Sequence, residues 1–503
     1  MGLILPGVNQ GSNLFHSFER FDVEAGRGAY FDNPAGIANI FSRVTGRDRL
    51  DILGRLGVLG NANLFLINPN GILFGRDASL NIEGSFVAST ADRLVFADGN
   101  EFSAVNPQAV PQLIVSVPLG LQYGSAPGSI TVEGTTLEYI VDFNLFPDLG
   151  IGVGDTLALL GGDVRLDKAT FLFLNTIELG AIKAGTVRLS FTGNQPNFIF
   201  PEVGGRANIV IVDGGNSLIG GNLRVNTGSL EIDNSSIIID NVNINANDTV
   251  ILNNNSAIIS LSENSSADIG INASSLILNN SRLSADANER RNAEDIRINT
   301  RDSVLMRNAS ISSVVGSTAT GNGGDIEIRT GSLDLYQSQL QLQTQGEGNA
   351  GRLVINARDN VSFRESAVLS TVTDTSKGNG GDIEINASNL FFINNLPTFR
   401  TQSSLNTSTS GIGDAGNVLI NVRNSTIFER RKVRINTSSE KGRFCSGSIT
   451  LGHFFHRRDH FRLRKRIGDL QRPPKLHICR YRAKKLVRAR KTDLGQHFLS
   501  FFR

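Results

Sequence analysis

The string GNGGDIEI occurs at residues 321–328 and again, letter for letter, at 378–385. Weaker copies read AEDIRIN at 293–299, GNAGRLVI at 348–355 and GDAGNVLI at 413–420. The first apolar residues of successive copies are Ile269, Ile296, Ile326, Leu353, Ile383, Val418 and Ile449, at steps of 27, 30, 27, 30, 35 and 31 residues. Self-similarity at this period belongs to solenoids and arrays, in which each repeat buries its apolar face only against its neighbours. Within a copy the apolar residues alternate at period two and are mostly β-branched, as in Ile326-Glu327-Ile328. That is strand periodicity, and no segment carries the longer stripe of an amphipathic helix. Short strands joined by Gly, Asn and Ser corners predict an all-β, right-handed parallel β-helix of the pectin-lyase-like kind, with coils of ~27–35 residues.

Composition closes off other classes. The 503-residue chain has 53 Gly, no Trp and only 2 Cys, so a disulfide framework and a cysteine-rich zinc domain are both excluded. No apolar run is long enough for a transmembrane helix. The net charge of +2 conceals a split: residues 452–503 hold sixteen Lys and Arg against three acids, so the remainder is acidic. The expected organisation is therefore 1–215, a β-rich region without simple repeats; 216–451, a β-helical rod; and 452–503, a basic tail whose structure the sequence does not specify.

Residues 61–75, NANLFLINPNGILFG, read as strand, turn, strand. Asn68-Pro69-Asn70-Gly71 is a β-turn with Pro at its second position, and Asn68 can cap it through its side chain. The turn stands in a longer series: GSNLFHSFERFDV (11–23), AYFDNPAGIANIFSRVTG (29–46), GSFVASTADRLVFADG (84–99) and LIVSVPLGLQYG (113–124). In this order the segments resemble the N-terminal haemagglutination-activity domain of the filamentous haemagglutinin family, the exoproteins of two-partner secretion. The family's NPNGI motif matches Asn68, Pro69, Asn70, Gly71 and Ile72 without change. Of its NPNL signature only Asn33 and Pro34 are kept, followed here by Ala35-Gly36.

The resemblance implies a secreted or surface-exposed adhesin. Its N-terminal β-helix would serve as a secretion signal, recognised in the periplasm by a dedicated outer-membrane transporter. The exoprotein would cross unfolded, fold outside and meet a host or neighbouring cell surface or its glycans. The absence of cysteine before residue 445 suits that route, since no disulfide can lock residues 1–444 in an oxidising periplasm, and it is equally what a β-helix core that needs no cysteine would show. MGLILPGVNQ has neither a basic n-region nor a long apolar core, so no signal peptide is read there. Relatives carry a leader and further residues ahead of the GSNLFHSF-like segment, so the expectation is a start upstream or a truncated product.

No catalytic residue, cofactor site, metal site or nucleic-acid surface is assigned. The paired carboxylates Asp325/Glu327 and Asp382/Glu384, with Asp295 in a related copy, recur coil after coil, whereas a catalytic pair occurs once. They read as a solvated face. Calcium-binding nonapeptides need copies nine residues apart, and these are about thirty apart. His16, alone in a strand-like segment, reads as structural, and Asn-x-Ser/Thr triplets such as those at Asn234, Asn264, Asn272, Asn386 and Asn406 follow from Asn and Ser richness. In the tail, His453, His456, His460, His477 and Cys479 could be offered as a zinc site, and its Lys and Arg as a nucleic-acid surface or a toxic tip. The repeat stops in mid-coil at His453, and Arg, His and Cys replace Asn, Ser and Gly. That change is what out-of-frame translation after Leu451 would produce. An extracellular polysaccharide-acting enzyme and a contact-delivered toxin carrier are the competing functional classes.

Overall fold

The computed structural model describes residues 2–107, 118–134, 136–138, 156–201, 205–260, 268–287, 291–373, 376–394, 403–429, 434–437 and 448–452, with short strands at 455–457, 475–477, 489–491 and 499–501. They form strands joined by turns and short loops, and no helix occurs among the described residues. The chain divides into two units, Met1–Val250 and Ile251–Arg503. Both are built as parallel β-helices.

In the first unit each coil contributes a strand to three parallel faces. Face one stacks Asn13–Phe18, Asn39–Val44, Asn63–Ile67, Phe86–Ser89 and Thr156–Gly161, then residues 176–181, 222–227 and 241–246. Its register places Leu14, Ile40, Leu64, Phe86, Leu157, Ile177, Leu223 and Val242 in one inward file, all of them buried. Face two stacks Leu50–Ile52, Ile72–Phe74, Ile130–Glu133 and Val164–Asp167, with the file Leu50, Ile72, Ile130, Val164, Ile209, Leu230. Face three begins with Gly2–Ile4, Gly28–Asp32, Arg55–Leu59 and Ser79–Asn81.

Simple alternation fails on face one, where all five residues of Asn63–Ile67 are buried. The cause is a second layer. The chain leaves the same corner twice, after Ser89 and after Ala181, and the two excursions pair into one antiparallel sheet. That sheet comprises Arg93–Phe96, Glu101–Ser103, Pro118–Tyr123, Gly185–Thr192 and Gln195–Ile199. It covers the outward side of face one, so Phe15, Phe41 and Phe65 pack against Leu94, Phe96, Phe102, Leu121 and Leu189. Phe41 lies 4.9 Å from Phe65 and meets Phe96 edge-on at 5.9 Å. Arg43, also buried, lays its guanidinium 4.3 Å from the Phe102 ring centre and donates to Ser103 O at 2.9 Å.

The second unit is more regular. Ile269, Ile296, Ile326, Leu353, Ile383, Val418 and Ile449 stand in a single parallel file. A further file runs Leu283, Ile311, Leu340, Val368, Leu405, Ile435. The Gly-Asn corners stack into a ladder in which the side chain of one coil accepts the backbone N–H of the next. Asn292 Oδ1 accepts from Asn322 N at 2.8 Å, Asn322 from Asn349 at 2.9 Å, Asn349 from Asn379 at 2.9 Å and Asn379 from Asp414 at 2.8 Å. The close approach excludes side chains at the neighbouring positions: a Cβ on Gly351 would lie 1.9 Å from Gly324 O.

Of the carboxylates expected to be merely solvated, Asp325 and Asp382 are exposed and Asp295, Glu327 and Glu384 are half-buried, and three also build the corners. Asp295 Oδ1 accepts Asp325 N at 2.7 Å, Asp325 Oδ1 accepts Arg352 N at 2.8 Å, and Asp382 Oδ1 accepts Asn417 N at 2.6 Å. Glu327 pairs with Arg329, and Glu384 with Asn386 and Arg352. The Asn386 amide, followed by Arg352, holds the Glu384 carboxyl below the usual range.

Two substitutions test this account. Phe65→Ala should lower the unfolding free energy by about 3–5 kcal/mol, the range for truncating a fully packed aromatic, measured by urea denaturation. Gly351→Ala should destabilise its unit although it adds only a methyl group, whereas Asn349→Ser, which leaves the corner backbone free to pair, should cost less.

Candidate functional site

The NPNG turn is the corner between faces one and two, joining Asn63–Ile67 to Ile72–Phe74. Asn68 is fully buried, and Gly71 N donates to Asn68 O at 3.2 Å, closing the turn. The Asn68 side chain works in both directions: Oδ1 accepts from Asn70 N at 3.1 Å, and Nδ2 donates to Asp48 O at 3.0 Å. This is the side-chain cap expected of an Asn at the first turn position. Asn70 lies at the surface and donates from Nδ2 to Gly46 O at 2.8 Å, tying the turn to the preceding coil. Pro69, which has no N–H of its own, offers its carbonyl to Gly128 N at 2.8 Å in the following coil. Ile72 is fully buried in the face-two file, and its N–H donates to Ser129 O at 3.0 Å.

Glycine is required twice at this corner. Gly71 has φ +116°, a conformation that residues with a Cβ rarely adopt. A Cβ on Gly128 would lie 2.4 Å from Gly71 N, so the next coil could not close on the turn. The column continues through Gly162, whose N–H donates to Gly128 O at 2.8 Å. A clamp stands beside it: Asn68 N donates to Ser89 O at 2.9 Å, and Ser89 Oγ meets the Tyr123 hydroxyl at 2.8 Å. Tyr123 also donates to Leu160 O at 3.1 Å, and burial pushes its phenol above the usual range. Gly46, Asp48, Ser89, Tyr123 and Gly128 were not singled out from the sequence. Their only signals are the TG at 45–46 and PGS at 127–129, which mark turns but not which turns stack.

Asn33 and Pro34 are not brought to this corner. They follow Gly28–Asp32 at the junction of faces three and one, where Pro34 O accepts Ile37 N at 3.2 Å and Gly36 has φ +89°. Asn33 packs beside Gly60, where a Cβ would stand 2.6 Å from Asn33 Nδ2, and its Oδ1 is buried without a partner. His453, His460, Cys479, Ser446, Gly447 and Asn264 lie outside the described residues, as do residues 113–117 of the LIVSVPLGLQYG segment; His456 and His477 fall in short strands. Among the described residues no group of three His, Cys, Asp or Glu is placed to hold a metal.

His16 and Glu178 are two further buried titratable groups of the first unit. His16 sits against Phe18 and Phe31 with Nε2 unpartnered, and burial lowers its pKa from 6.5 to about 4. Glu178, on face one, is pushed by burial up to about 8 against the opposing effects of Arg224 and Asn226. The signs differ. Unfolded histidine gains its proton below 6.5 while His16 stays neutral, so stability falls as pH drops from 6.5 towards 4, by about 3 kcal/mol in all. Unfolded glutamate loses its proton above 4.5 while Glu178 keeps it, so stability falls as pH rises from 4.5 towards 8. Urea midpoints measured across pH should show both limbs. Glu178→Gln should flatten only the alkaline one, raising stability at pH 8 and leaving pH 4.5 unchanged.

Residues 4–211 match the family model described as the TPS secretion domain. The crystal structure of the HMW1 secretion domain from Haemophilus influenzae is similar at 16% sequence identity, covering 85% of this chain and 96% of that one, with a TM-score of 0.36. No curated protein matches the chain. The matched segment includes the covering antiparallel sheet and the stacked Asn68–Ile72 corner: residues 4–211 carry a TPS secretion domain.

Proposed function

We propose that this chain is exported through a dedicated outer-membrane transporter that recognises the TPS secretion domain in the periplasm. After export it acts at the cell surface as an adhesin. The observation that carries the reading is the match of residues 4–211, which includes the whole Asn68–Ile72 corner. Asn68, Pro69, Asn70, Gly71 and Ile72 serve as the turn on which successive coils close, and through it as an element of transporter recognition. Asn33 and Pro34 shape a second, separate corner. The division of labour follows 1–215 for secretion, 216–451 for a β-helical rod that presents a surface to host or neighbouring cells or their glycans, and 452–503 for the basic tail.

A binding role is favoured over a polysaccharide-acting enzyme by the state of the carboxylates. Asp295, Asp325 and Asp382 each accept a backbone amide of the next coil, and Glu327 and Glu384 are paired with arginine. Groups so engaged are poor general acids and bases, which need a free proton-transfer geometry towards a substrate.

The test is export. The chain, joined to a cleavable signal peptide and produced with a two-partner transporter, should reach the medium or cell surface. The double substitution Asn70→Val and Gly71→Val should abolish that delivery, since Val at 71 cannot take φ +116° and Val at 70 cannot donate to Gly46 O. Normal delivery of the double variant would remove the role assigned to the turn. Adhesion is read separately, by binding of the exported chain to cultured cells with and without enzymatic removal of their surface glycans.

A further inference from the structure

Three asparagines precede glycine in this sequence: Asn70-Gly71, Asn322-Gly323 and Asn379-Gly380. This pairing is the one most open to spontaneous deamidation, because a glycine nitrogen has no neighbouring side chain to shield it. The nitrogen attacks Cγ of the asparagine, the N–Cγ bond forms, the Cγ–Nδ2 bond breaks and ammonia leaves. Water then opens the cyclic imide at either carbonyl, giving aspartate or isoaspartate. The reaction needs a free glycine N–H and a side chain able to swing back onto it.

All three pairs lie in stacked corners, and all three have an exposed asparagine. Exposure alone would leave them reactive. In each, however, the attacking nitrogen already donates a hydrogen bond: Gly71 N to Asn68 O at 3.2 Å, Gly323 N to Asn349 O at 2.8 Å and Gly380 N to Asp414 O at 2.8 Å. The side chains are held as well. Asn322 Oδ1 accepts Asn349 N and Asn379 Oδ1 accepts Asp414 N, while Asn70 Nδ2 donates to Gly46 O. At residues 322 and 379 a single neighbouring residue, 349 or 414, grips both reacting groups at once, through its N–H and its carbonyl.

We infer that Asn70, Asn322 and Asn379 are modification sites of the unfolded chain, deamidating until the corner closes on a neighbouring coil, the next one at 322 and 379 and the preceding one at 70, so that coil formation itself ends the reaction. The products differ in consequence. Aspartate fits the 322 and 379 ladder, since Asp414 already stands in that file. Isoaspartate does not, because it adds a backbone methylene inside a corner whose glycines approach the next coil at less than van der Waals distance for any added carbon. At residue 70 even aspartate is disfavoured, as its carboxylate replaces the donor that faces Gly46 O.

The experiment follows wild-type protein at mildly alkaline pH in native buffer and in concentrated urea, with deamidation and isoaspartate read site by site by peptide mass spectrometry. All three sites should react in urea and be slowed together, by at least about tenfold, in native buffer, as expected when reaction requires local opening. Chains aged in urea should lose the ability to refold in step with their isoaspartate content, whereas freshly made Asn322→Asp should refold like wild type. Equal rates in urea and native buffer would overturn the inference. So would full refolding of chains carrying isoaspartate at 322 or 379.

Discussion

Every feature of both units depends on the parallel hydrogen-bonded ladder between one coil and the next. Strands paired in this way lie about 4.8 Å apart, so whatever stands at one position in a coil must be compatible with the same position in its neighbours. Inside, that produces files such as Ile269 to Val418, in which Ile296, Ile326, Leu353 and Ile383 each stand between two other aliphatic residues. At the corners it imposes a harsher condition. The backbone turns away from the ladder there, and its amides need partners that the next coil alone can supply. The Asn292–Asp414 ladder and the Asp48–Asn68–Asn70–Gly46 network are two solutions to the same problem.

The corner at Asn68–Ile72 differs from the repeated ones in being fastened from three directions. Gly46 and Asp48 hold it from the preceding coil, Gly128 and Ser89 from the following coil, and Tyr123 of the antiparallel sheet braces Ser89 from the side. A change in the turn is therefore felt by the coils on either side and by the covering layer. Asn70 is exposed, yet its amide closes one coil on another.

How much of this was legible depended on how far apart in sequence the deciding residues lie. In the second unit the repeat carried its own register, and the residues that open each copy are the ones that stack, because every corner there reuses the same Gly-Asn chemistry. The NPNG turn was legible as a turn, with Asn68 as its cap. Its neighbours were not, since nothing in residues 45–48 or 127–129 says which coil they will meet. On face one the alternation rule gave way, because Asn63–Ile67 is covered from outside by strands drawn from residues 93–199. The carboxylates of the repeat were legible as recurring, but their part in capping the next coil's amides required the stacking to be seen.

The sequence by itself determined the architecture: period-two apolar runs between Gly and Asn corners, returning about every thirty residues, can bury their apolar side only by stacking as parallel coils. Only the tertiary structure decided which polar groups serve the fold. A hydrogen bond between corners depends on two turns some twenty to sixty residues apart arriving at the same height on the same edge. Local sequence fixes the shape of each turn, but the packing of complete coils sets their height.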